Sequence, residues 1–257
     1  MSQADLIFWT ALTGILSALA TGLGALPLHF VKATSRWRAM ASAVAAGMMI
    51  SASVFSLVQE GIALKARFPA APYIVMLGLL LGAAFFRFTE KNFSEHEIRK
   101  HFSTPGITRR GILIFTAMFI HSIPEGIAIG VAFATGDFNF GIIIAIAISV
   151  HNIPEGMAVS LPLKADGVST KNCVIASILT SIPQPIMAVP SALLAWFFEP
   201  LLPVGLGFAG GAMIYLTMSE LIPQAIEEGG KSLAAWGVMV GLTGMLFITT
   251  VLNCIPH

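Results

Sequence analysis

The chain has 257 residues, of which 56% are hydrophobic and 11% are charged. Soluble domains carry about 25% charged residues, so this composition indicates a membrane protein. A formal net charge of +1, with the basic residues in short connections rather than in one stripe, argues against a nucleic-acid-binding protein. Two cysteines, without a C-x-x-C pair, are too few for a disulfide scaffold.

Eight stretches of the chain are long and apolar enough to cross a bilayer, which takes about 20 helical residues. The first is too long for the apolar part of a signal peptide and lacks a basic segment before it, so we expect it to be retained. We therefore predict an all-α membrane protein with eight transmembrane helices in a single domain over residues 1–257. The predicted spans cover residues 6–30, 39–62, 70–88, 111–134, 138–163, 172–198, 201–224 and 232–254.

The basic residues predict which side of the membrane each connection faces. All but two of the 14 Lys and Arg follow spans 1, 3, 5 or 7, and the two exceptions are Lys65 and Arg67. Because cytoplasmic connections are enriched in Lys and Arg, both termini are predicted to lie outside. The long polar loop 88–110, between spans 3 and 4, is then cytoplasmic.

Small residues cluster at three places within the predicted spans. They occupy positions 21–25, 43–47 and 209–212, which read TGLGA, AVAAG and AGGA. Small side chains let membrane helices approach closely, so we interpret these segments as helix-packing surfaces.

One motif occurs twice, as HSIPEG from His121 in span 4 and as HNIPEG from His151 in span 5. Residues four apart share a helix face, so each copy presents an imidazole together with the carboxylate of Glu125 or Glu155. An unpaired carboxylate at the centre of a membrane helix costs about 2.5–3.5 kcal/mol on an insertion scale. Pairing of His with Glu within one helix would explain a single copy, but it explains two matched copies poorly.

The two motifs are joined by a short connection, so their helices are predicted to be antiparallel neighbours. Pro124 and Pro154 each remove a backbone N–H, which favours a kink and a freed carbonyl beside both glutamates. Two antiparallel copies near the midplane are typical of a transport site. Two imidazoles and two carboxylates suit Zn²⁺ and other first-row divalent metals, and the lack of a thiolate disfavours Cu(I).

The doubled H-x-x-P-E-G motif resembles the ZIP family of divalent-metal transporters, and it is most similar to the prokaryotic GufA-type and zinc-uptake branch. The eight spans, the outside termini and the long loop after span 3 extend this resemblance over nearly the whole chain. It implies a multi-pass protein of the cell membrane that forms a homodimer and moves metal into the cytoplasm.

The resemblance also implies roles for individual residues. His121, Glu125, His151 and Glu155 match the family's principal metal ligands. The positions that help to build a second, adjacent metal site are held here by uncharged residues, namely Ser122, Asn152 and Gln184. We therefore expect one strong site and a weak or absent second site.

Other polar residues have weaker predictions. Glu220, near the inner end of span 7, is either an exit-path ligand or an interfacial acid. Glu60, at the outer end of span 2, lies either in an entrance or at a solvated helix end. In loop 88–110, His96 and His101 resemble a metal-capturing feature, but two histidines do not distinguish it from a solvated face.

These observations predict a transporter, not an enzyme, that carries Zn²⁺ and other divalent metals such as Fe²⁺, Mn²⁺ and Cd²⁺ into the cytoplasm. The direction follows from the resemblance alone. A proton-coupled exporter using the same residues is an alternative. An intramembrane metalloenzyme is a weaker one, because the chain has no H-E-x-x-H motif. A haem-binding helical bundle is disfavoured by the glutamates beside the histidines.

Overall fold

The computed structural model describes residues 1–29, 34–92 and 109–254, and it consists there of helices and turns without a strand. This confirms the prediction of an all-α chain. The middle of loop 88–110, with His96 and His101, lies outside the described residues. The α-helices are α1 Gln3–Leu23, α2 Ser35–Ser51, α3 Gln59–Ala63, α4 Ala71–Asn92, α5 Arg109–Ala134, α6 Phe138–Ala165, α7 Thr170–Thr180, α8 Pro183–Phe197, α9 Leu201–Leu216 and α10 Ile222–Cys254.

In the described ranges, two short π-helical segments interrupt the regular helices. Ala52–Val58 joins α2 to α3, and Thr217–Leu221 joins α9 to α10. A π segment inserts an extra residue into the turn, which rotates the side chains that follow, and such segments are frequent at functional sites.

Among the described residues, six helical stretches are long and apolar enough to span a membrane, which confirms a multi-pass membrane protein. Large apolar side chains on α4 and α10 are exposed, as expected of a surface that faces lipid. One stretch has 54 residues, which at about 1.5 Å per residue far exceeds a hydrocarbon core of about 30 Å. It breaks at Gly230, where φ is 82° and ψ is 163°. The six stretches are Gln3–Leu28, Ser35–Ala66, Ala71–Thr89, Phe138–Ala165, Thr170–Phe197 and Leu201–Cys254.

Glycines bring several pairs of helices into backbone contact, among them α2 with α10 and α4 with α9. Helix α2 packs on the second half of α10, and α4 packs on α9. A Cβ atom at Gly47 or Gly241 would overlap with a carbonyl oxygen of the facing helix, and so would one at Gly82 or Gly211. The packing role predicted for the segments 43–47 and 209–212 is thereby confirmed.

The helices that carry the repeated motif lie in a second group, formed by α1, α5, α6, α7 and α8. Helix α1 contacts α6 where Gly24 and Gly156 approach the opposite backbone, and α5 contacts α8 at Gly126. The turn between α5 and α6 is short, as predicted, and the Asp137 side chain accepts a hydrogen bond from the Phe140 N–H at the start of α6.

Within the predicted span 172–198, which corresponds to the single membrane-spanning stretch Thr170–Phe197, the helix is interrupted around Ser181 between α7 and α8. Pro183 is the physical reason. A proline cannot donate the backbone hydrogen bond and clashes with the carbonyl four residues earlier, but it fits the first turn of a helix. The break places Gln184 in the first turn of α8.

Candidate metal centre

Both copies of the motif place their His and Glu side chains in the interior. His121, Glu125, His151 and Glu155 are each at most 2% exposed, and they are the His, Asp, Glu, Lys and Arg side chains that are fully buried in the described part of the chain. Buried charges need compensation by partners or by a bound ion. These four side chains therefore need compensating partners in the interior or a bound cation.

Three of the four side chains converge. One potential ligand atom each from Glu125, His151 and Glu155 lies within 4.8 Å of the other two. Within this group, His151 Nε2 lies 3.0 Å from Glu125 Oε1. Zn²⁺ bonds to nitrogen and oxygen are about 2 Å long, so tetrahedral ligand atoms are roughly 3.3 Å apart. A small contraction of this group would give ligand spacings that suit a first-row divalent cation.

The contacts between His and Glu side chains join different helices rather than the His and Glu of one motif. Glu125 of α5 contacts His151 of α6, whereas His121 lies outside the group of three and faces Glu220. The two copies of the motif thus contribute to one interior cluster, as two antiparallel helices allow.

His121 and Glu220 form a separate pair beside the cluster. His121 Nε2 lies 3.4 Å from Glu220 Oε2, and neither imidazole nitrogen has a hydrogen-bond partner among the described residues. The ring of Phe86 packs against the imidazole with the ring centroids 5.2 Å apart. The Glu220 side chain is 32% exposed, so the pair connects the buried cluster with a more accessible position in the π segment Thr217–Leu221.

A row of amide hydrogen bonds runs from α1 to the cluster. Asn152 Nδ2 donates to the Ser17 carbonyl at 3.0 Å and to Gln184 Oε1 at 3.2 Å. Gln184 Nε2 in turn donates to Glu125 Oε2 at 2.5 Å. Every residue in this row is completely buried, so water cannot readily replace these hydrogen bonds.

The three uncharged residues that were predicted beside the principal ligands are not equivalent. The structure joins Asn152 and Gln184 to Glu125, while Ser122 Oγ donates to the Met118 carbonyl of its own helix at 3.3 Å. Ser17 is part of the amide row but was not predicted. Nothing in the sequence distinguishes Ser17 from the other small polar residues of α1, because its contact depends on how α1 packs on α6.

Several buried atoms around the cluster have no hydrogen-bond partner among the described residues. They are His121 Nδ1 and Nε2, His151 Nδ1, Asn152 Oδ1 and Glu155 Oε2. Buried polar atoms are nearly always satisfied in folded proteins. Such a concentration, next to two carboxylates that repel each other, is the pattern expected where a cation or ordered water belongs.

Glu60 does not join this group. It lies in α3, just beyond the π segment Ala52–Val58, and its side chain is partly exposed. This placement is compatible with both interpretations of Glu60, as an entrance residue or as a solvated helix end.

Comparison with known proteins matches residues 87–249 to a family model described as ZIP zinc transporter. The zinc transporter GufA of Myxococcus xanthus is 35% identical over 88% of this chain and 92% of its own length. The zinc transporter ZIPB of Bordetella bronchiseptica is 34% identical, over 95% of this chain and 82% of its own.

A longer relative also matches along most of the chain. A protein of Arabidopsis thaliana named "Putative zinc transporter" is 36% identical over 96% of this chain. The chain spans only 39% of the length of that relative. The matches to GufA and ZIPB, by contrast, cover most of both proteins.

Proposed function

Because the chain belongs to the ZIP zinc transporter family, we propose that it moves Zn²⁺ across a membrane through the cluster of Glu125, His151 and Glu155. The observation that carries this proposal is the convergence of these three buried side chains within 4.8 Å. An interior imidazole and two carboxylates can replace the water molecules around a divalent cation. This is the role of a transport site in a membrane protein rather than that of an enzyme.

The same ligand types also accept other divalent metals. Imidazole binds most first-row transition metals, and carboxylate suits the harder ones. We therefore propose Fe²⁺, Mn²⁺ and Cd²⁺ as further cargo, with Zn²⁺ favoured by the family relation. Competition by each metal against zinc flux ranks them directly.

We propose eight membrane crossings within one transporter domain over residues 1–257. Helix α5 adds one crossing to the six stretches, since its described apolar part, Met118–Ala134, continues a helix that begins at Arg109. The break at Gly230 divides the longest stretch into two crossings. With the basic residues as arranged, both ends of the chain are outside and loop 88–110 is cytoplasmic.

His121 and Glu220 extend the proposed path from the cluster toward the cytoplasm. Helix α9 begins outside in this orientation, so Glu220 lies in the inner half of the membrane. We propose that His121 completes the ligand set in the buried cluster and that Glu220 receives the ion next.

We expect Glu220→Gln to lower zinc flux several-fold while the number of zinc ions bound per chain stays the same. The amide keeps the shape of the side chain but removes the charge that faces His121. Initial flux rates and bound zinc, measured on the same preparation, test this expectation. Glu227→Gln, an exposed acid in α10, is the matched control, and a Glu220→Gln rate equal to that of the parent would contradict the proposed path.

Flux into liposomes tests the proposed function. Purified protein is reconstituted around a trapped zinc-sensitive dye, and zinc is added outside at equal pH on both sides. Zinc flux without a pH gradient supports facilitated transport. Flux that needs an opposing proton gradient would support the exporter alternative, and binding without any flux would contradict transport.

We propose a homodimer on the basis of the family relation. Light scattering of the detergent-solubilised protein, corrected for detergent, distinguishes a dimer from a 27.2 kDa monomer.

A further inference from the structure

We propose that Gln184 holds Glu125 so that only one carboxylate oxygen can reach a cation, which limits the centre to a single ion. This inference rests on the proposed function of the cluster. Gln184 acts here as a positioning residue, since it contacts Glu125 and not the transported ion.

The hydrogen bonds give the amide row a fixed direction. The Ser17 carbonyl can only accept, so the Asn152 group that contacts it has to be the NH₂ group. That NH₂ group also donates to Gln184, which places Gln184 Oε1 toward Asn152. The remaining NH₂ group of Gln184 then faces Glu125 Oε2. A backbone carbonyl on α1 thus determines which end of Gln184 the carboxylate meets.

Both oxygens of Glu125 are therefore engaged. Oε2 accepts from Gln184 at 2.5 Å, and Oε1 lies 3.0 Å from His151 Nε2. A metal that replaces the His151 proton would gain Oε1 as a ligand, while Oε2 keeps its amide donor. A carboxylate that bridges two cations with one oxygen on each needs both oxygens free, and the amide donor on Oε2 blocks this mode, so the arrangement favours one cation.

The Gln184 amide N–H also occupies Glu125 Oε2, the oxygen that a second cation would use. Its partial positive charge stabilises the carboxylate, as a neighbouring metal would, without requiring another anionic ligand. The row spans α1, α6, α8 and α5, and all four of its side chains are completely buried. Rotation of Gln184 would break two buried hydrogen bonds together, which is costly.

The number of ions bound per chain tests this inference directly. Zinc bound to the purified, detergent-solubilised protein is counted by elemental analysis, and its affinity is measured by calorimetry. We expect one ion for the parent and two for Gln184→Glu, since an ionised carboxylate there cannot donate and frees both oxygens of Glu125. Gln3→Glu, an exposed position in α1, is the matched control and is expected to keep one ion.

Asn152→Ala provides a second, independent variant. Removing the donor that orients Gln184 is expected to weaken zinc binding about 10–100-fold, the usual effect of losing a group that orients a metal ligand. The count should remain at one ion. If Asn152→Ala instead kept the affinity of the parent, Gln184 would not depend on this row and the inference would be wrong.

Two other results would overturn the inference: two ions in the parent, or one ion in a Gln184→Glu variant that elutes and melts like the parent. Should Gln184→Glu fail to fold, the parent count and the Asn152→Ala affinity decide the question. Failure of the proposed function gives a different result, which is a parent protein that binds one ion but does not move zinc into liposomes.

Discussion

Replacement of Glu125 by alanine is expected to reduce zinc flux to the level of liposomes without protein. Glu125 contacts His151 through one oxygen and Gln184 through the other, so its loss removes a ligand and leaves two buried polar groups unpaired. Loss of a group that only orients a metal ligand costs about 10–100-fold in affinity, so loss of the ligand itself should exceed about 100-fold. His151→Ala is expected to have a similar effect.

Flux and zinc affinity of both variants are measured beside Glu227→Ala, which removes an exposed carboxylate from α10. Elution volume and melting temperature show whether each variant is folded. If folded Glu125→Ala and His151→Ala proteins moved zinc at the parent rate, the assignment of the cluster as the transport site would be wrong.

A single added methyl group at Gly156 is expected to destabilise the fold strongly. Its Cβ would overlap with the Thr21 carbonyl oxygen, which belongs to the backbone of α1 and cannot rotate away. Overpacking costs typically about 1–3 kcal/mol, which corresponds to a fall in Tm of roughly 2–12 °C for a chain of this size. Separation of α1 from α6 would also disrupt the hydrogen bond between Ser17 and Asn152, so zinc binding should weaken as well.

Gly244→Ala is the control for this experiment. An added Cβ at Gly244, in α10, meets no atom within 4 Å. Because alanine favours a helix by up to about 1 kcal/mol over glycine, its Tm should equal or slightly exceed that of the parent. Thermal unfolding in detergent compares the two variants, and equal Tm values for both would contradict tight backbone contact between α1 and α6.

The sequence is sufficient to predict the helical class and the residues that gather at the centre. Long apolar runs predict membrane helices, and the doubled motif brings Glu125, His151 and Glu155 to attention because buried ionisable groups are costly. Periodicity indicates which residues share a helix face, but not which face meets a neighbouring helix. For this reason the contact between Glu125 and His151, and that between His121 and Glu220, emerges only from the structure.

Other features depend on local backbone geometry or on packing between distant segments. The division of span 172–198 at Ser181 follows from Pro183, yet Pro124 and Pro154 lie within continuous helices. A proline therefore does not predict by itself whether a helix ends. Ser17 and Asn152 are 135 residues apart in the chain, so no local pattern could connect them.

The charge of the buried cluster has an electrical consequence. When both are ionised, Glu125 and Glu155 supply two negative charges, and no Lys or Arg is among the fully buried residues of the described ranges. A bound Zn²⁺ cancels these charges, so the loaded centre is neutral. Moving one elementary charge across a potential difference of 100 mV changes its electrostatic energy by about 2.3 kcal/mol. Moving a neutral centre changes this energy by nothing. The membrane voltage should therefore act on the empty centre when both carboxylates are ionised, and leave the zinc-bound form unaffected.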